Sequence, residues 1–333
     1  MVSSTKAVHM TVCRLVVTLM LLLLPFSAGA QQATKIPRIG ILSPAPIVAA
    51  SASPFSALRD KLRELGYIEG QNIALEFRLA DGHLNRLPEL AADLVRLRVD
   101  VIVTDGGDAV ARVAAAATKT IPIVMGTSTD PVASGLVASL AQPGGNVTGF
   151  ILPYADLAGK RLQLLKEMVP TVNRVAVLWD ADSGEPQLRA AAAAAPVLGV
   201  HLESLPVRAR ADLDAAFEKA RRQGAGALLQ LASRRLSDNR EAIAERVFRY
   251  RLPGLFELGF AETGVLASYG PRTADNFSRA ALYVDKILKG ARPGDLPVQY
   301  PLTFHLEINL RTAKSLGLTV PPSVLLQATR IIE

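Results

Sequence analysis

Short apolar runs alternate with longer amphipathic stretches along most of the chain. The runs are rich in Val, Ile, Leu and Ala, which is the composition of strands buried on both faces of a parallel sheet. They predict four strands in the first half, at 38–42, 73–78, 99–104 and 121–125, and four in the second half, at 174–179, 200–205, 225–231 and 252–256. Alternation of such strands with helices indicates an α/β fold.

The intervals between the apolar runs carry the periodicity of helices. Leu87, Leu90, Leu94 and Leu97, for example, lie on one face of a helix. The pattern predicts helices at 55–65, 87–97 and 109–118, and then at 185–198, 211–222 and 237–249. A further helical stretch is expected between residue 131 and a turn at 143–146.

The two halves repeat one plan, with the same order of strands and similar gaps. Strand–helix–strand connections of this length make right-handed crossovers, so each half is predicted to be a doubly wound parallel-sheet lobe. The chain then continues with a short strand before a turn at 270–271, a helix at 274–288, an extended run at 298–304, a helix at 308–315 and a short terminal helix. We interpret these late elements as a return to the first lobe and back, which makes a hinge of several crossings.

This interpretation gives expected domain boundaries. Residues 1–30 are a signal peptide, as argued below. The first lobe is 31–151 plus about 271–300, and the second is 152–270 plus about 301–333.

Small and polar residues follow the strands at the edge where parallel sheets bind ligands, beyond the carboxyl ends. In the first lobe they are Ser43, Asp105, Gly106, Gly107, Thr127, Ser128 and Asp130, and in the second they are Asp180, Ser183, Ser233 and Glu257. Hydroxyls and N–H groups at helix N-termini suit a carboxylate, and acidic side chains suit an ammonium group, so a zwitterion such as an amino acid fits. Alternatively, Asp105 and Asp130 cap the helices that follow them. Trp179, at another strand end, fits either ligand stacking or core packing.

The N-terminus has the layout of a secretory signal peptide. Lys6 and Arg14 flank the start of an apolar run at 15–24, and small residues at 27–30 offer a cleavage site after Ala30. An uncleaved anchor is the alternative. The only cysteine, Cys13, would leave with this segment, so the mature chain would have no disulfide and no thiolate site.

Sequence motifs of enzymes and of nucleic-acid binding are absent. The formal net charge is +7, but Lys and Arg are interspersed with Asp and Glu, as on a solvated surface. His83, His201 and His305 lack the spacing of metal ligands. There is no nucleophile elbow, phosphate loop or dinucleotide fingerprint. The sequence therefore predicts no catalytic residue, no metal, no cofactor and no nucleic-acid partner.

Several stretches, taken together, are typical of one family. They include LRELGYIEGQNIALEFRLADG (62–82), ELAADLVRLRVDVIV (89–103), TDPVASGLVASLAQPGGNVTG (129–149), KRLQLLKEMVPTVNRVAVLW (160–179), SYGP (268–271), YVDKILKGARPGDLPVQYPLTF (283–304) and INLRTAKSLGLTVPPSVL (308–325). With them the chain resembles the ABC-transporter solute-binding proteins of the group that includes tryptophan- and tyrosine-binding members.

The resemblance implies a type I periplasmic binding fold, in which a small solute is captured between the lobes. It also implies delivery of the solute to an inner-membrane permease driven by an ATPase, from a periplasmic protein that works as a monomer. Family members bind ligand with the strand-tip loops, which by position are the residues named above. Tyr269 of SYGP lies near the expected hinge.

The leading hypothesis is therefore a periplasmic receptor for an amino acid or a related small carboxylate, without catalysis. A ligand-sensing module that presents its bound form to a membrane receptor is one alternative. An exported α/β enzyme is another, although it would need a nucleophile and a base at the strand tips.

Overall fold

The first sheet is parallel throughout, with the strand order β2-β1-β3-β4-β5. The structure is a computed structural model that describes residues 35–51 and 54–333, so the predicted signal segment and Cys13 lie outside the described residues. The strands of this sheet are β1 (Arg38–Ser43), β2 (Ala74–Leu79), β3 (Val101–Thr104), β4 (Ile123–Ser128) and β5 (Val147–Ile151). The helices between them are α1 (Phe55–Glu64), α2 (Leu87–Arg96) and α3 (Gly107–Ala117).

The second sheet has the order β12-β11-β10-β9-β8-β6-β7, and all of its pairs are parallel except β10 with β11. Its strands are β6 (Arg174–Asp180), β7 (His201–Val207), β8 (Ala227–Gln230), β9 (Gly254–Phe256), β10 (Ala267–Gly270), β11 (His305–Asn309) and β12 (Arg330–Ile332). The associated helices are α4 (Tyr154–Met168), α5 (Glu185–Ala194), α6 (Asp212–Arg222), α7 (Arg234–Asp238) and α8 (Arg240–Arg249), then α10 (Leu310–Ser315) and α11 (Pro322–Leu325).

Helices cover both faces of each sheet, so the apolar strands are buried on both sides. Phe55 of α1 packs on one face of the first sheet, and Leu94 of α2 packs on the other. In the second sheet Leu165 of α4 and Phe217 of α6 lie in separate cores on opposite faces. Each sheet therefore has its own pair of apolar cores, which confirms the predicted α/β fold.

The chain passes between the two sheets three times. It leaves β5 for α4, it leaves β10 for α9 (Thr273–Leu288), and it returns through residues 299–305 to β11. Helix α9 packs on the first sheet although it follows the second, because Phe277 lies in one core with Phe55. Gln299 pairs with Phe150 beside β5 before the chain reaches β11. The lobe boundaries given above remain a prediction.

Several predicted elements differ from the structure. Residues 131–142 form turns rather than a helix, because Asp130 and Pro131 accept the hydrogen bonds of a compact loop. Strand β5 and helix α4 were not predicted, and the helix expected at 237–249 is divided into α7 and α8 at Asn239. The predicted extended run 298–304 contributes one bridge, and β11 replaces the start of the helix expected at 308. Strand β12 follows the predicted terminal helix.

Within the described part of the chain, none of the helices is long and apolar enough to span a membrane.

Candidate functional site

A hydrogen-bonded cluster links the ends of three neighbouring strands in the first sheet. The Ser43 hydroxyl donates to Asp105 Oδ2 at 2.8 Å, and the Thr127 hydroxyl lies 3.4 Å from Asp105 Oδ1. All three side chains are buried. Burial raises the pKa of the Asp105 carboxyl, while the hydrogen bond from Ser43 and the positive charge of Arg234 oppose that shift. The structure thus brings together Ser43, Asp105 and Thr127, which the sequence places far apart.

The backbone N–H groups that were expected to be free for a ligand are engaged in the structure. Gly106 N and Gly107 N donate to Thr127 Oγ1 at 3.0 and 3.2 Å. Gly106 has a φ of 105°, and a Cβ there would lie 2.7 Å from the Pro44 ring and from Val110. Only glycine can hold this turn. The expectation of free N–H groups at these two positions is wrong, while contact of Gly106 and Gly107 with a ligand remains a prediction.

Asp108, which the sequence analysis did not select, organises the loop after β4. Its carboxylate accepts from Ser128 Oγ, from Thr129 Oγ1 at 2.6 Å and from Asp130 N at 3.1 Å. The Asp130 carboxylate accepts from Ala133 N at 2.9 Å, which is the capping role left open above, although it caps a turn rather than a helix. Asp105 does not cap α3, because its oxygens are used by Ser43 and Thr127. Contact of Ser128 and Asp130 with a ligand remains a prediction.

In the second sheet, Asp180 is already paired. Its carboxylate accepts from Arg235 Nη1 and from Asp182 N at 3.0 Å. Ser183 is exposed beside this turn, and its N–H donates to the Asp180 carbonyl at 3.2 Å. Asp180 therefore meets a guanidinium where an ammonium group was expected, and contact of either residue with a ligand stays a prediction.

Glu257 lies at the end of β9 and is buried among polar partners. Its carboxylate accepts from Ser237 Oγ and, at 3.3 Å, from Gln230 Nε2. Ser233 accepts the N–H of Leu236 at 3.1 Å and so caps α7, the helix that carries Ser237. Burial raises the pKa of the Glu257 carboxyl to about 7, although these hydrogen bonds and the charge of Arg161 act in the opposite direction.

Arg161 is the functional candidate that the sequence analysis missed. It lies on α4, its side chain is 1% exposed, and its Nε and Nη2 have no hydrogen-bond partner among the described residues. Burial lowers the pKa of its guanidinium to about 10, with Glu257 and Tyr154 opposing the shift, so it is charged at neutral pH. A sequence signal existed, because Arg161 is four residues from both Leu157 and Leu165 and interrupts the apolar stripe of the helix.

Electrostatic interactions join the strand ends of the two sheets. The positive charge of Arg234, after β8, acts on the Asp105 carboxyl after β3. Burial raises the pKa of the Tyr154 phenol, and the negative charges of Glu257 and Asp105 add to this effect. Charged groups that follow strands of the two sheets thus influence one another, and their common contact with a ligand remains a prediction.

Tyr269 and Trp179 are held by packing in the second sheet. Tyr269 stacks on Phe304, with ring centroids 6.2 Å apart, where the chain enters β11. The Trp179 indole donates to Ser204 Oγ at 2.8 Å and packs against a core of the second sheet. The packing interpretation of Trp179 is therefore the one that the structure supports. The position of Tyr269 at a crossing agrees with the expected hinge, and its contact with ligand is untested.

The described residues contain no group of three or more His, Cys, Asp and Glu side chains that could hold a metal ion. The ionisable groups described above are instead carboxyls, a phenol and guanidinium groups. Such a set can bind a charged ligand through hydrogen bonds and ion pairs.

Comparison with protein families gives a match over most of the chain. The family described as "ABC transporter substrate binding protein" matches residues 49–332. The chain belongs to this family. It is a family of solute-binding proteins rather than enzymes, which agrees with the prediction from the sequence.

Solved structures of similar proteins extend over the same region. A conserved domain protein from Vibrio cholerae is 28% identical with a TM-score of 0.80, and the match covers 89% of this chain and 100% of that one. A protein from Streptococcus pneumonia, solved in complex with L-Trp, is 26% identical with a TM-score of 0.79, covering 89% of this chain and 99% of that one. These neighbours confirm the type I periplasmic binding fold for this member of the family.

A curated relative matches over a shorter stretch. The tyrosine-binding protein of Clostridioides difficile (strain R20291) is 37% identical over 124 residues, which are 37% of this chain and 34% of the relative. The match thus spans about a third of the relative's length.

Proposed function

We propose that the protein is the solute receptor of an ABC importer and binds an amino acid or a related small carboxylate between its two lobes. The observation that carries the proposal is a set of buried ionisable groups of both signs, some after strands of the first sheet and some after strands of the second, that act on one another electrostatically. Asp105 follows β3 of the first sheet, whereas Glu257 follows β9 of the second sheet and Arg161 lies on α4, which packs on that sheet. A ligand with charged groups can pair with such residues from both sides.

The charge of this site favours an amino acid over a neutral sugar. Two nitrogens of the buried Arg161 guanidinium lack a hydrogen-bond partner among the described residues, which is costly, and an incoming carboxylate would reduce that cost. Two relatives support the same class of solute, since one was solved with L-Trp and another is named a tyrosine-binding protein. The aromatic and branched-chain amino acids are therefore the first ligands to test.

Closure of the lobes would couple binding to transport. Three crossings of the chain form the proposed hinge, and the ligand would contact both lobes only in the closed state. Ligand would thereby shift the population from open to closed. The permease, driven by its ATPase, would then recognise the closed pair of lobes.

The location and assembly of the protein follow from the same proposal. Residues 1–30 would direct export and be removed after Ala30, leaving a monomeric receptor in the periplasm. The first lobe would comprise 31–151 plus about 271–300, and the second lobe would comprise the rest of the mature chain. The boundaries rest on the sheet to which each element belongs.

The test is a thermal-shift screen of the purified protein, first unfolded and refolded to remove any retained ligand. The screen uses amino acids, small carboxylates, amides and sugars. A ligand at one hundred times its dissociation constant adds about 2.7 kcal/mol to the free energy of unfolding. Stabilisation by an amino acid or a small carboxylate supports the proposal. A response only to sugars, or to nothing in the screen, refutes it.

A further inference from the structure

Arg161 is a charged side chain that folding has buried with its hydrogen-bonding groups only partly satisfied. Two of its guanidinium nitrogens, Nε and Nη2, lack a hydrogen-bond partner among the described residues, and the side chain is 1% exposed. A buried charge is normally paired, because its desolvation is otherwise uncompensated. The position therefore calls for an anion that binds to the folded protein.

The surroundings of Arg161 show why no acidic side chain pairs with its Nε and Nη2. Helix α4 packs across β8, β9 and β10, and the neighbouring positions Leu162 and Leu165 belong to its apolar core. The acidic group that acts on the guanidinium is Glu257, with the Tyr154 phenol as the other influence. Glu257 is occupied by Ser237 and Gln230, so it is held in place rather than free to turn toward Arg161.

We propose that the Arg161 guanidinium binds the carboxylate of the solute while the Glu257 carboxyl receives its ammonium group. The inference rests on the proposed function and narrows it to solutes that carry both groups, namely α-amino acids. Guanidinium suits this role because its planar donors match the two oxygens of a carboxylate. A carboxylate held by Gln230 and Ser237 is a fixed acceptor for an ammonium group.

Each half of such a zwitterion is needed for tight binding. A carboxylic acid without the amine would place a third acidic group near Glu257 and Asp105. An amine without the carboxylate would leave Arg161 buried and unpaired. Loss of one member of a desolvated charge pair weakens binding by at least about 30-fold. The site should therefore discriminate strongly against both single-charge analogues.

Isothermal titration of the purified protein with two ligand triplets tests this inference. The first triplet is L-tryptophan, tryptamine and indole-3-propionate, and the second is L-leucine, 3-methylbutylamine and 4-methylpentanoate. The expected result is that at least one amino acid binds at least about 30-fold more tightly than its amine and its acid. If an amine or an acid binds as tightly as its amino acid, the inference is overturned and the proposed function is not. If none of the six compounds binds, both the inference and the proposal that the solute is an amino acid of these two classes are refuted.

Variants of Arg161 then test whether this residue causes the discrimination of the amino acid from its amine and its acid. In Arg161→Gln the affinity for the amino acid should fall at least about 30-fold, while that for the amine should stay constant or rise. Arg161→Lys keeps the charge but loses the paired donors, so it should bind with intermediate affinity. Lys160→Gln is the matched control, because adjacent positions of a helix do not share a face, and it should bind like the wild type.

Stability of the ligand-free variants separates a binding role from a structural one. Removal of an unpaired buried charge should leave the melting temperature of Arg161→Met equal to or above that of the wild type. A variant that melts lower yet binds the amino acid with wild-type affinity would identify Arg161 as structural and overturn the inference. Should Arg161→Gln fail to fold, the affinities of Arg161→Lys and Arg161→Met decide in its place.

Discussion

At the scale of single residues, burial sets the ionisation of Glu257 and Asp105. Burial raises the pKa of both carboxyls, and that of Glu257 reaches about 7. The hydrogen bonds from Ser237 and Ser43 favour the ionised forms but do not outweigh burial. Glu257 can therefore change charge near neutral pH.

The first prediction concerns the stability of the ligand-free protein against pH. Between the ordinary value of 4.5 and about 7, folded Glu257 holds a proton that the unfolded chain has released. The free energy of unfolding should therefore fall as pH rises through this window, since the folded state binds more protons. Urea denaturation at pH 5 and pH 8 measures the change, and Glu257→Gln should reduce it. An equal pH dependence in both proteins would contradict the assignment.

The second prediction concerns ligand affinity against pH. A solute ammonium group binds the ionised form of Glu257, and it competes there with the proton. Affinity for an amino acid should therefore fall about tenfold between pH 8 and pH 6, because the ionised fraction of a carboxyl with a pKa of about 7 falls by that factor. Titration calorimetry at several pH values checks this. Glu257→Gln should bind more weakly at pH 8 and show a flatter profile, whereas a profile as steep as that of the wild type would refute the role.

At the scale of elements, two short helices begin with side-chain caps but lie at opposite ends of the strands of the second sheet. Ser233 caps α7, beside Glu257, and Asn309 caps α10 by accepting from Thr312 N at 3.0 Å. Strand β11 runs antiparallel to β10, so its end at Asn309 is on the edge away from the strand tips of the site. The two caps thus form a matched pair for mutation.

The third prediction follows from this pair. Ser233→Ala and Asn309→Ala should each lower the free energy of unfolding by about 1 kcal/mol, the usual effect of losing a cap. Only Ser233→Ala should also weaken amino-acid binding, by a few-fold, because α7 positions the Ser237 hydroxyl that holds Glu257. Urea denaturation and titration calorimetry measure both quantities. Equal losses of affinity in the two variants would show that binding merely follows stability.

The fourth prediction concerns the contact between α9 and the first sheet. A Cβ at Gly126 would lie 2.5 Å from Cε2 and Cζ of Phe277, whose ring packs into the core of that sheet. Gly126→Ala should therefore lower the free energy of unfolding by about 1–3 kcal/mol, as overpacking does. Gly145→Ala is the control, since its Cβ would meet nothing within 4 Å. Chemical denaturation compares the two, and similar stabilities would contradict the close packing of α9.

At the scale of the whole molecule, two separately packed sheets are joined by three passages of the chain. The passage from β10 to α9 is held on the first sheet by Asn276 of α9. Its Nδ2 lies 3.2 Å from the Ile151 carbonyl and 3.3 Å from the Gly126 carbonyl. Another is fixed by backbone hydrogen bonds of Gln299 with Gly149 and Ile151, each 3.0 Å long. These contacts anchor the passages to the first sheet.

The fifth prediction is that ligand makes the molecule more compact. The radius of gyration from small-angle X-ray scattering should decrease when the binding amino acid is added, because the closed state is the one that pairs groups of both lobes with the ligand. Arg161→Gln at the same ligand concentration should show no decrease. An unchanged radius in wild-type protein that calorimetry shows to be saturated would refute closure.

Much of the fold was predictable because it depends on local patterns. Apolar runs and helical periodicity gave eight strands, β1–β4 and β6–β9, within a few residues, and the repeated plan gave two largely parallel sheets. Helix α4 was missed although it has an apolar stripe, whereas two of the missed strands lack a local signal of their own. The strand β5 follows a turn rich in glycine, and β11 depends on pairing with β10, a partner distant in sequence. The family match over residues 49–332 confirms the resemblance that the sequence motifs indicated.

By itself, the sequence determined the edge of each sheet that carries polar residues, since a polar residue after a buried strand must lie at the strand's end. The tertiary structure decided how those residues are used. It engaged Gly106 and Gly107 with Thr127, paired Asp180 with Arg235, and buried Arg161 beside Glu257. The physical reason is that hydrogen-bond partners and burial depend on which elements pack together, and a position in the chain does not specify them.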